Sequence, residues 1–167
     1  APAQDRIPVR RVVELVASQA RSLSEGRHRI EVEFDGEGDL AGSETEIASA
    51  FANLVTNAVR YTPEGGRIVL RWRSGREGAA FSVADTGIGI PAEHLPRLTE
   101  RFYRVDRGRS RDTGGTGLGL AIVKHVLARH QAVLDVKSEP GRGSVFTARF
   151  PPSQLLPRES AAASKPS

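Results

Sequence analysis

Two asparagines inside a clearly predicted helix are the first residues of this 167-residue chain that could do chemistry. Asn53 and Asn57 are four positions apart, so they share one stripe of the helix, beside its apolar stripe. Asparagine is a poor helix former, which makes the pair unusual, although the polar edge of a helix would also account for it. The amide oxygen of Asn57 suits Mg²⁺, a hard cation that keeps waters and shares its shell with phosphates. Arg60 and Tyr61, one turn further along, could reach the same phosphates.

An aspartate stands where a predicted strand enters a loop, in the sequence DTGIG at residues 85–89. An aspartate in such a place commonly caps the turn. The ionised carboxylate of Asp85 is also a strong acceptor for the exocyclic amine of adenine. Gly87 and Gly89 would let the backbone pass close to a flat ring.

A second glycine segment, GGTGLGL at residues 114–120, leads directly into an apolar helix. Glycines at a helix N-terminus expose unpaired N–H groups to an anion, and a hinge with close helix packing is the structural alternative. No Lys-Ser or Lys-Thr follows, so the segment is not a P-loop. Residues 101–107 (RFYRVDR) lie between the two glycine segments, where they would form either a solvated loop or a lid over a triphosphate.

These residues must be positioned by interspersed helices and strands, which hydrophobic periodicity locates. Helices are predicted over Val9–Leu23, from a capping box at Ser43 to Tyr61, over Pro91–Phe102 and over Leu118–Ala128, and strands over Arg29–Phe34, Arg67–Arg73, Ala79–Ala84, Ala132–Lys137 and Val145–Phe150. The hairpins exclude a purely parallel sheet. We therefore expect an α/β (α+β) two-layer sandwich, in which a mixed, mostly antiparallel sheet carries helices on one face. One domain is predicted over residues 1–151, and residues 152–167, rich in Pro, Ser and Ala, are predicted to be a disordered tail.

Composition narrows the classes of protein. The chain has no cysteine, which excludes disulfides and thiolate metal sites, and no apolar run approaches the length of a membrane helix. Its net charge is +4, and 21 of its 24 basic residues are arginines. Arginine suits phosphate binding, although a GC-rich genome would also favour it. A chain that opens at Ala1 and has no methionine suggests a piece of a longer protein.

Four sequence blocks in fixed order resemble the catalytic ATP-binding domain of bacterial sensor histidine kinases. The N box is similar to residues 53–62, the first G box to residues 85–89, the F box to residues 101–104 and the second G box to residues 115–122. A closing GRGSVF at residues 141–146 resembles the last hairpin of the same family, so the resemblance covers roughly residues 8–151. It implies the Bergerat ATP-binding fold, which these kinases share with DNA gyrase and a heat-shock chaperone.

The resemblance also implies roles for individual residues. Asn57 would hold Mg²⁺, Asp85 would bind the adenine amino group, and Arg104 would stabilise the transferring γ-phosphoryl group, so that Asn53, Asn57 and Arg104 form the catalytic set. The implied ATP-binding residues are Asn53, Asn57, Arg60, Tyr61, Asp85, Gly87, Gly89, Ile90, Tyr103, Gly115, Thr116, Gly117, Leu118 and Gly119. Where the family usually has lysine, this chain has Arg60.

Asn53 discriminates among the implied activities. Hydrolytic relatives, and stand-alone serine kinases of the anti-sigma-factor type, carry a glutamate general base at this position. Asparagine cannot accept a proton at neutral pH, which favours a protein-histidine kinase, with the serine kinase as the alternative. A basic nucleic-acid module is a third reading. It is disfavoured because only 5% of residues are aromatic and the glycines would have no explanation.

The family's phosphoacceptor is a histidine followed by an acidic residue, and none of the four histidines fits: His28, His94, His125 and His130. We therefore expect a chain that binds ATP without phosphorylating itself. The full protein would add a dimeric phosphoacceptor domain, and a response regulator would receive the phosphoryl group. This chain would be the cytoplasmic domain of a membrane-anchored sensor kinase, with no nucleic-acid partner.

Overall fold

The computed structural model describes residues 5–97 and 119–157. In chain order these residues form β1 (Asp5–Ile7), α1 (Val9–Ser24), β2 (Arg29–Asp35), β3 (Asp39–Gly42), α2 (Glu44–Tyr61), β4 (Arg67–Gly75), β5 (Gly78–Asp85), a 3₁₀ helix (Ala92–Arg97), α3 (Gly119–Arg129), β6 (Val133–Glu139), β7 (Gly143–Phe150), a 3₁₀ turn (Pro152–Gln154) and β8 (Leu155–Leu156).

The main sheet has five strands in the order β2-β4-β5-β7-β6. Only β2 and β4 are parallel, and the other three pairings are antiparallel. The three α-helices found in residues 5–97 and 119–157 cover one face of the sheet, and the opposite face carries exposed ion pairs such as that of Arg71 with Glu33. The two-layer, mostly antiparallel architecture predicted from the sequence is therefore confirmed.

Helix α2 forms the centre of the helical layer. The hydroxyl of its N-cap residue, Ser43, accepts a hydrogen bond from the Glu46 N–H at 3.3 Å, as the capping box predicts. The Phe51 ring stacks on Phe81 of β5 with 4.0 Å between centroids, and Phe150 of β7 meets Phe51 edge-on at 6.3 Å. This aromatic cluster fixes α2 across the middle of the sheet, so the direction of its polar stripe is fixed as well.

A second, three-stranded sheet in the order β1-β3-β8 was not predicted. Its strands are only two to four residues long, too short to show an alternating pattern. The Asp39 carboxylate of β3 accepts from the Val9 N–H at 3.3 Å, at the start of α1, and from Arg6 at 3.2 Å. Arg6 also donates to the Pro157 carbonyl at 2.9 Å, so the side chain of β1 bridges β3 and the residue after β8.

Two predicted boundaries differ from the structure. Residues 152–157, placed in the tail from sequence, are ordered: Gln154 is buried, and Leu155 packs on the core while pairing with Leu40. The helix predicted over Pro91–Phe102 is a 3₁₀ helix over its described part, because Pro96 lacks a backbone N–H and the His94 N–H bonds three residues back, to the Pro91 carbonyl at 2.9 Å.

Within residues 5–97 and 119–157, no helix combines the length and the apolar character needed to cross a membrane.

Candidate functional site

The polar stripe of α2 lies beside the buried one, as the sequence predicts. Asn53 and Asn57 are half-buried, Tyr61 is half-buried and Arg60 is exposed. The Asn53 amide donates to the Ser49 carbonyl at 2.8 Å, which leaves its oxygen available as an acceptor. The Asn57 side chain makes no hydrogen bond within the part of the chain that the structure describes, so its oxygen can ligate a cation.

Gly119 lies at the point where α3 approaches α2. A Cβ atom added at this position would lie 3.0 Å from the Asn53 side-chain oxygen, and so any other residue would press on that amide. Because glycine has no Cβ atom, α3 can begin directly beside Asn53 of α2. This contact brings Gly119 and Asn53, two of the predicted site residues, next to each other.

Asp85 is the last residue of β5 and continues the row of β5 side chains that faces the helices. The residues before it in that row, Phe81 and Val83, are fully buried, whereas Asp85 is half-buried. Its carboxylate accepts a hydrogen bond from the Gly87 N–H at 2.8 Å and another from the Ser144 N–H. Burial raises the pKa of Asp85 above its ordinary value, while these two hydrogen bonds oppose the rise. The side chain is therefore a desolvated acceptor with capacity left for a donor from a ligand.

The loop after Asp85 is held between α2 and the turn that joins β6 to β7. The Ile88 N–H donates to the Tyr61 carbonyl at 3.2 Å, and the Ile88 carbonyl accepts from the Gly141 N–H at 2.8 Å. A Cβ on Gly87 would collide with the Tyr61 carbonyl, and one on Gly89, whose φ is +75°, would collide with the Glu139 carbonyl. Packing inside the protein thus already requires both glycines, independently of any ring bound against them.

The structure brings the C-terminal end of the α2 stripe next to the Asp85 loop, because the Tyr61 carbonyl accepts from the Ile88 N–H at 3.2 Å. Of the predicted site residues, α2 carries Asn53, Asn57, Arg60 and Tyr61, the end of β5 and its following loop carry Asp85, Gly87, Gly89 and Ile90, and the start of α3 carries Gly119. The other predicted site residues, Tyr103, Arg104, Gly115, Thr116, Gly117 and Leu118, lie outside the described residues, and their roles stay predictions.

Thr62 has no role predicted from the sequence, but it is buried between the end of α2 and the Asp85 loop. Thr62, directly after α2, is 4% exposed, and its hydroxyl oxygen is buried with no partner among the described residues. That oxygen would lie 3.1 Å from a Cβ on Gly87. The Thr62 carbonyl accepts from His28 Nε2 at 2.6 Å. Nothing in the local sequence signals these contacts, which join residues far apart along the chain.

A second histidine is also structural. His130 is buried, its Nδ1–H donates to the Val126 carbonyl at 2.8 Å, and its Nε2 accepts from the Ser43 N–H at 3.1 Å. It therefore fastens the end of α3 to the start of α2. His28 and His130, two of the four histidines, therefore have structural hydrogen bonds.

Residues 42–154 match the family model described as "Histidine kinase-, DNA gyrase B-, and HSP90-like ATPase". The chain is 57% identical over 145 residues to the phosphate regulon sensor protein PhoR of Pseudomonas aeruginosa, covering 86% of this chain and 33% of that protein. It is 43% identical over 148 residues to the sensor-like histidine kinase SenX3 of Mycobacterium tuberculosis, covering 83% and 35%.

Solved structures agree with the sequence relatives. The mycobacterial sensor histidine kinase MprB superposes with a TM-score of 0.80 at 25% identity, covering 93% of this chain and 100% of that one. Full-length ShkA, solved in complex with AMPPNP, gives a TM-score of 0.79 at 26% identity, covering 96% of this chain and 33% of that one.

The chain belongs to the family of histidine kinase-, DNA gyrase B- and HSP90-like ATPases. Within it, the chain is an ATP-binding catalytic domain of the sensor histidine kinase type. It spans about a third of the length of the curated relatives it matches.

Proposed function

We propose that this chain binds Mg²⁺-ATP between the polar stripe of α2 and the Asp85 loop, and donates the γ-phosphoryl group to a histidine on a separate phosphoacceptor domain. The phosphoryl group then passes to a response regulator in two-component signalling. The observation that carries the proposal is Asp85, a desolvated carboxylate that ends β5 beside the C-terminal end of α2. The complex of the similar protein ShkA with AMPPNP, an ATP analogue, supports ATP as the ligand.

The residues divide the work between the two ends of ATP. The Asp85 carboxylate oxygen that does not bond the Gly87 N–H accepts from the adenine amino group, while Gly87 and Gly89 leave the adjacent backbone without side chains. Asn57 offers one neutral oxygen to Mg²⁺, which fits a cation that takes most of its ligands from phosphates and water. The Mg²⁺ neutralises charge on the phosphates when bound. We assign contacts with those phosphates to Arg60 and Tyr61, at the C-terminal end of the same helix.

The reaction needs positioning more than proton transfer from the protein. A neutral imidazole already carries a nucleophilic lone pair, so a phosphoacceptor histidine needs less help from a general base than water does. Asn53 in place of glutamate leaves water poorly activated, which protects ATP from hydrolysis. We assign stabilisation of the transferring group to Arg104, by analogy with the F box, since phosphoryl transfer depends chiefly on electrostatic stabilisation and alignment.

The acceptor, the dimer it forms and the response regulator belong to the longer protein that the relatives suggest. We place this chain on the cytoplasmic side of a membrane-anchored sensor kinase, which matches the class of its relatives. A stand-alone serine kinase of the anti-sigma-factor type is not favoured, because the similar proteins are sensor kinases.

Two measurements test the proposal. Calorimetric titration with ATP, with and without Mg²⁺, should show binding that Mg²⁺ strengthens. The chain is then incubated with γ-labelled ATP, Mg²⁺ and a separately prepared acceptor domain. Acid-labile phosphate should form on the acceptor histidine, with none on the chain itself. A matched acceptor domain whose histidine is replaced by glutamine is the control. Label on the chain alone, or acid-stable label on a serine, would refute the assignment.

A further inference from the structure

The helix-facing side of the main sheet changes character at one end. On three neighbouring strands, the row above the end is apolar, with Val83 opposite Phe146 and Phe146 opposite Val136. The final row is polar: Asp85 on β5 pairs with Ser144 on β7, and Ser144 pairs with Ser138 on β6. Polar side chains that face the helices do not add to the apolar core, and each of them needs a hydrogen-bond partner there.

Ser138 occupies the far end of this row and uses its whole hydrogen-bonding capacity. Its hydroxyl donates to the Gly143 carbonyl at 3.0 Å and accepts from the Ile90 N–H at 2.7 Å. The Ser144 hydroxyl lies 2.7 Å away, and it must be the donor because the only proton of Ser138 is already engaged. Ser138 therefore acts through its neighbours and has no capacity left for a ligand.

The residues that Ser138 bonds, Ile90, Gly143 and Ser144, lie at the end of the Asp85 loop and at the start of β7. Ile90 ends the loop that begins at Asp85, and Gly143 and Ser144 begin the strand whose N–H group at Ser144 donates to the Asp85 carboxylate. One hydroxyl thus ties the end of the loop to the strand that orients the aspartate. The second attachment in this area is the bond from the Gly141 N–H to the Ile88 carbonyl, at 2.8 Å, which is made by backbone alone.

We propose that Ser138 is a positioning residue for nucleotide binding, which fastens the loop over residues 86–90 to strand β7 in the conformation that receives adenine. The inference rests on the proposed role of Asp85. Without the Ser138 hydroxyl, the Ile90 N–H and the Ser144 hydroxyl lose their partner, and the loop spends part of its time detached. ATP must then select the attached population, so its apparent affinity falls by that fraction.

The test compares Ser138→Ala with Ser82→Ala in the complete chain. Ser82 is a half-buried serine on the opposite face of the same sheet, without a hydrogen bond among the described residues, so it controls for the loss of a hydroxyl as such. We expect Ser138→Ala to bind ATP about tenfold more weakly than the wild type, the effect of one or two lost hydrogen bonds. Ser82→Ala should bind like the wild type.

Amide hydrogen exchange separates positioning from a general loss of stability. In Ser138→Ala, without nucleotide, the amides of Gly87 and Ile90 should exchange faster, while the amide of Phe81, in the core of β5, should exchange at the wild-type rate. Equal ATP affinity in both serine variants would overturn the inference alone. Faster exchange at Phe81 as well would overturn it too, since the role would then be structural. A wild-type chain that fails to bind ATP would refute the proposed function itself.

Discussion

Replacing Asp85 by asparagine tests the adenine contact, because the geometry fixes how the new amide must lie. One carboxylate oxygen of Asp85 accepts from the Gly87 N–H at 2.8 Å. In Asp85→Asn, the amide oxygen keeps that bond, and the amide nitrogen takes the place of the oxygen that would accept from adenine. Two donors then face each other, the NH₂ of the asparagine and the exocyclic amine of the base.

The magnitude follows from what is lost. A hydrogen bond to a charged acceptor contributes about 1.5–3 kcal/mol, and leaving a buried donor unpaired costs about 1–3 kcal/mol. We therefore expect ATP affinity to fall by roughly 3 kcal/mol, or about 100-fold. Inosine triphosphate, which carries an acceptor where ATP carries the amine, should reverse the preference: the asparagine variant binds it at least as tightly as ATP.

The assay is calorimetric titration of each protein with both nucleotides in the presence of Mg²⁺. Asp135→Asn, the same change on the opposite face of the sheet, where Asp135 pairs with Arg149 at 3.5 Å, is the matched control and should bind ATP like the wild type. The reasoning is refuted if Asp85→Asn still prefers ATP to inosine triphosphate by the wild-type factor.

Four further outcomes are expected. Because burial raises the pKa of Asp85, the folded chain binds a proton at this carboxyl group more tightly than the unfolded chain does, and the folded state loses stability as pH rises through the raised pKa. Without nucleotide, Asp85→Asn should therefore unfold at a higher urea concentration than the wild type at neutral pH, and the difference between their urea midpoints should narrow on acidification. Asn57→Ala should abolish the gain in ATP affinity on adding Mg²⁺ while leaving Mg²⁺-free binding near wild type, measured by calorimetry. Gly89→Ala should weaken ATP binding sharply, because its Cβ collides with backbone, whereas Gly141→Ala, at φ +80° with open space around it, should bind normally and lose only about 1 kcal/mol of stability in urea. Phe51→Ala should cost about 3–5 kcal/mol of unfolding free energy, and Leu15→Ala, which is 53% exposed, less than about 0.5 kcal/mol.

The parts of the fold that sequence predicts are those encoded by local pattern. Helix α2 follows from a capping box at Ser43 and an apolar stripe, and the strands of the main sheet follow from alternation, with boundaries within about three residues of those observed. The small sheet has no such signal, because its strands are short and pair with distant residues. Leu155 gives no local indication that it pairs with Leu40.

The same distinction applies to the site. Asn57, Asp85 and the glycines are visible in sequence because they form blocks of characteristic residues. Thr62 and His28 are not, since their importance arises from a hydrogen bond across 34 positions of the chain. Ser138 lies one residue beyond the predicted strand Ala132–Lys137, so the sequence assigns it no place in the sheet, and only the structure shows that its hydroxyl accepts from the Ile90 N–H.

The small sheet also gives the domain a mechanical property. Strand β1 runs antiparallel to β3 through three residue pairs, and a pull along β1 therefore loads those bonds side by side, in shear, the direction in which paired strands resist best. Strand β3 ends at Gly42, next to the Ser43 cap of α2. Tension applied at Asp5 is thus transmitted along one strand to the first turn of the helix that carries Asn53 and Asn57. The Asp39 carboxylate also connects this path to α1, because it accepts hydrogen bonds from both the Arg6 side chain and the Val9 N–H at the start of that helix.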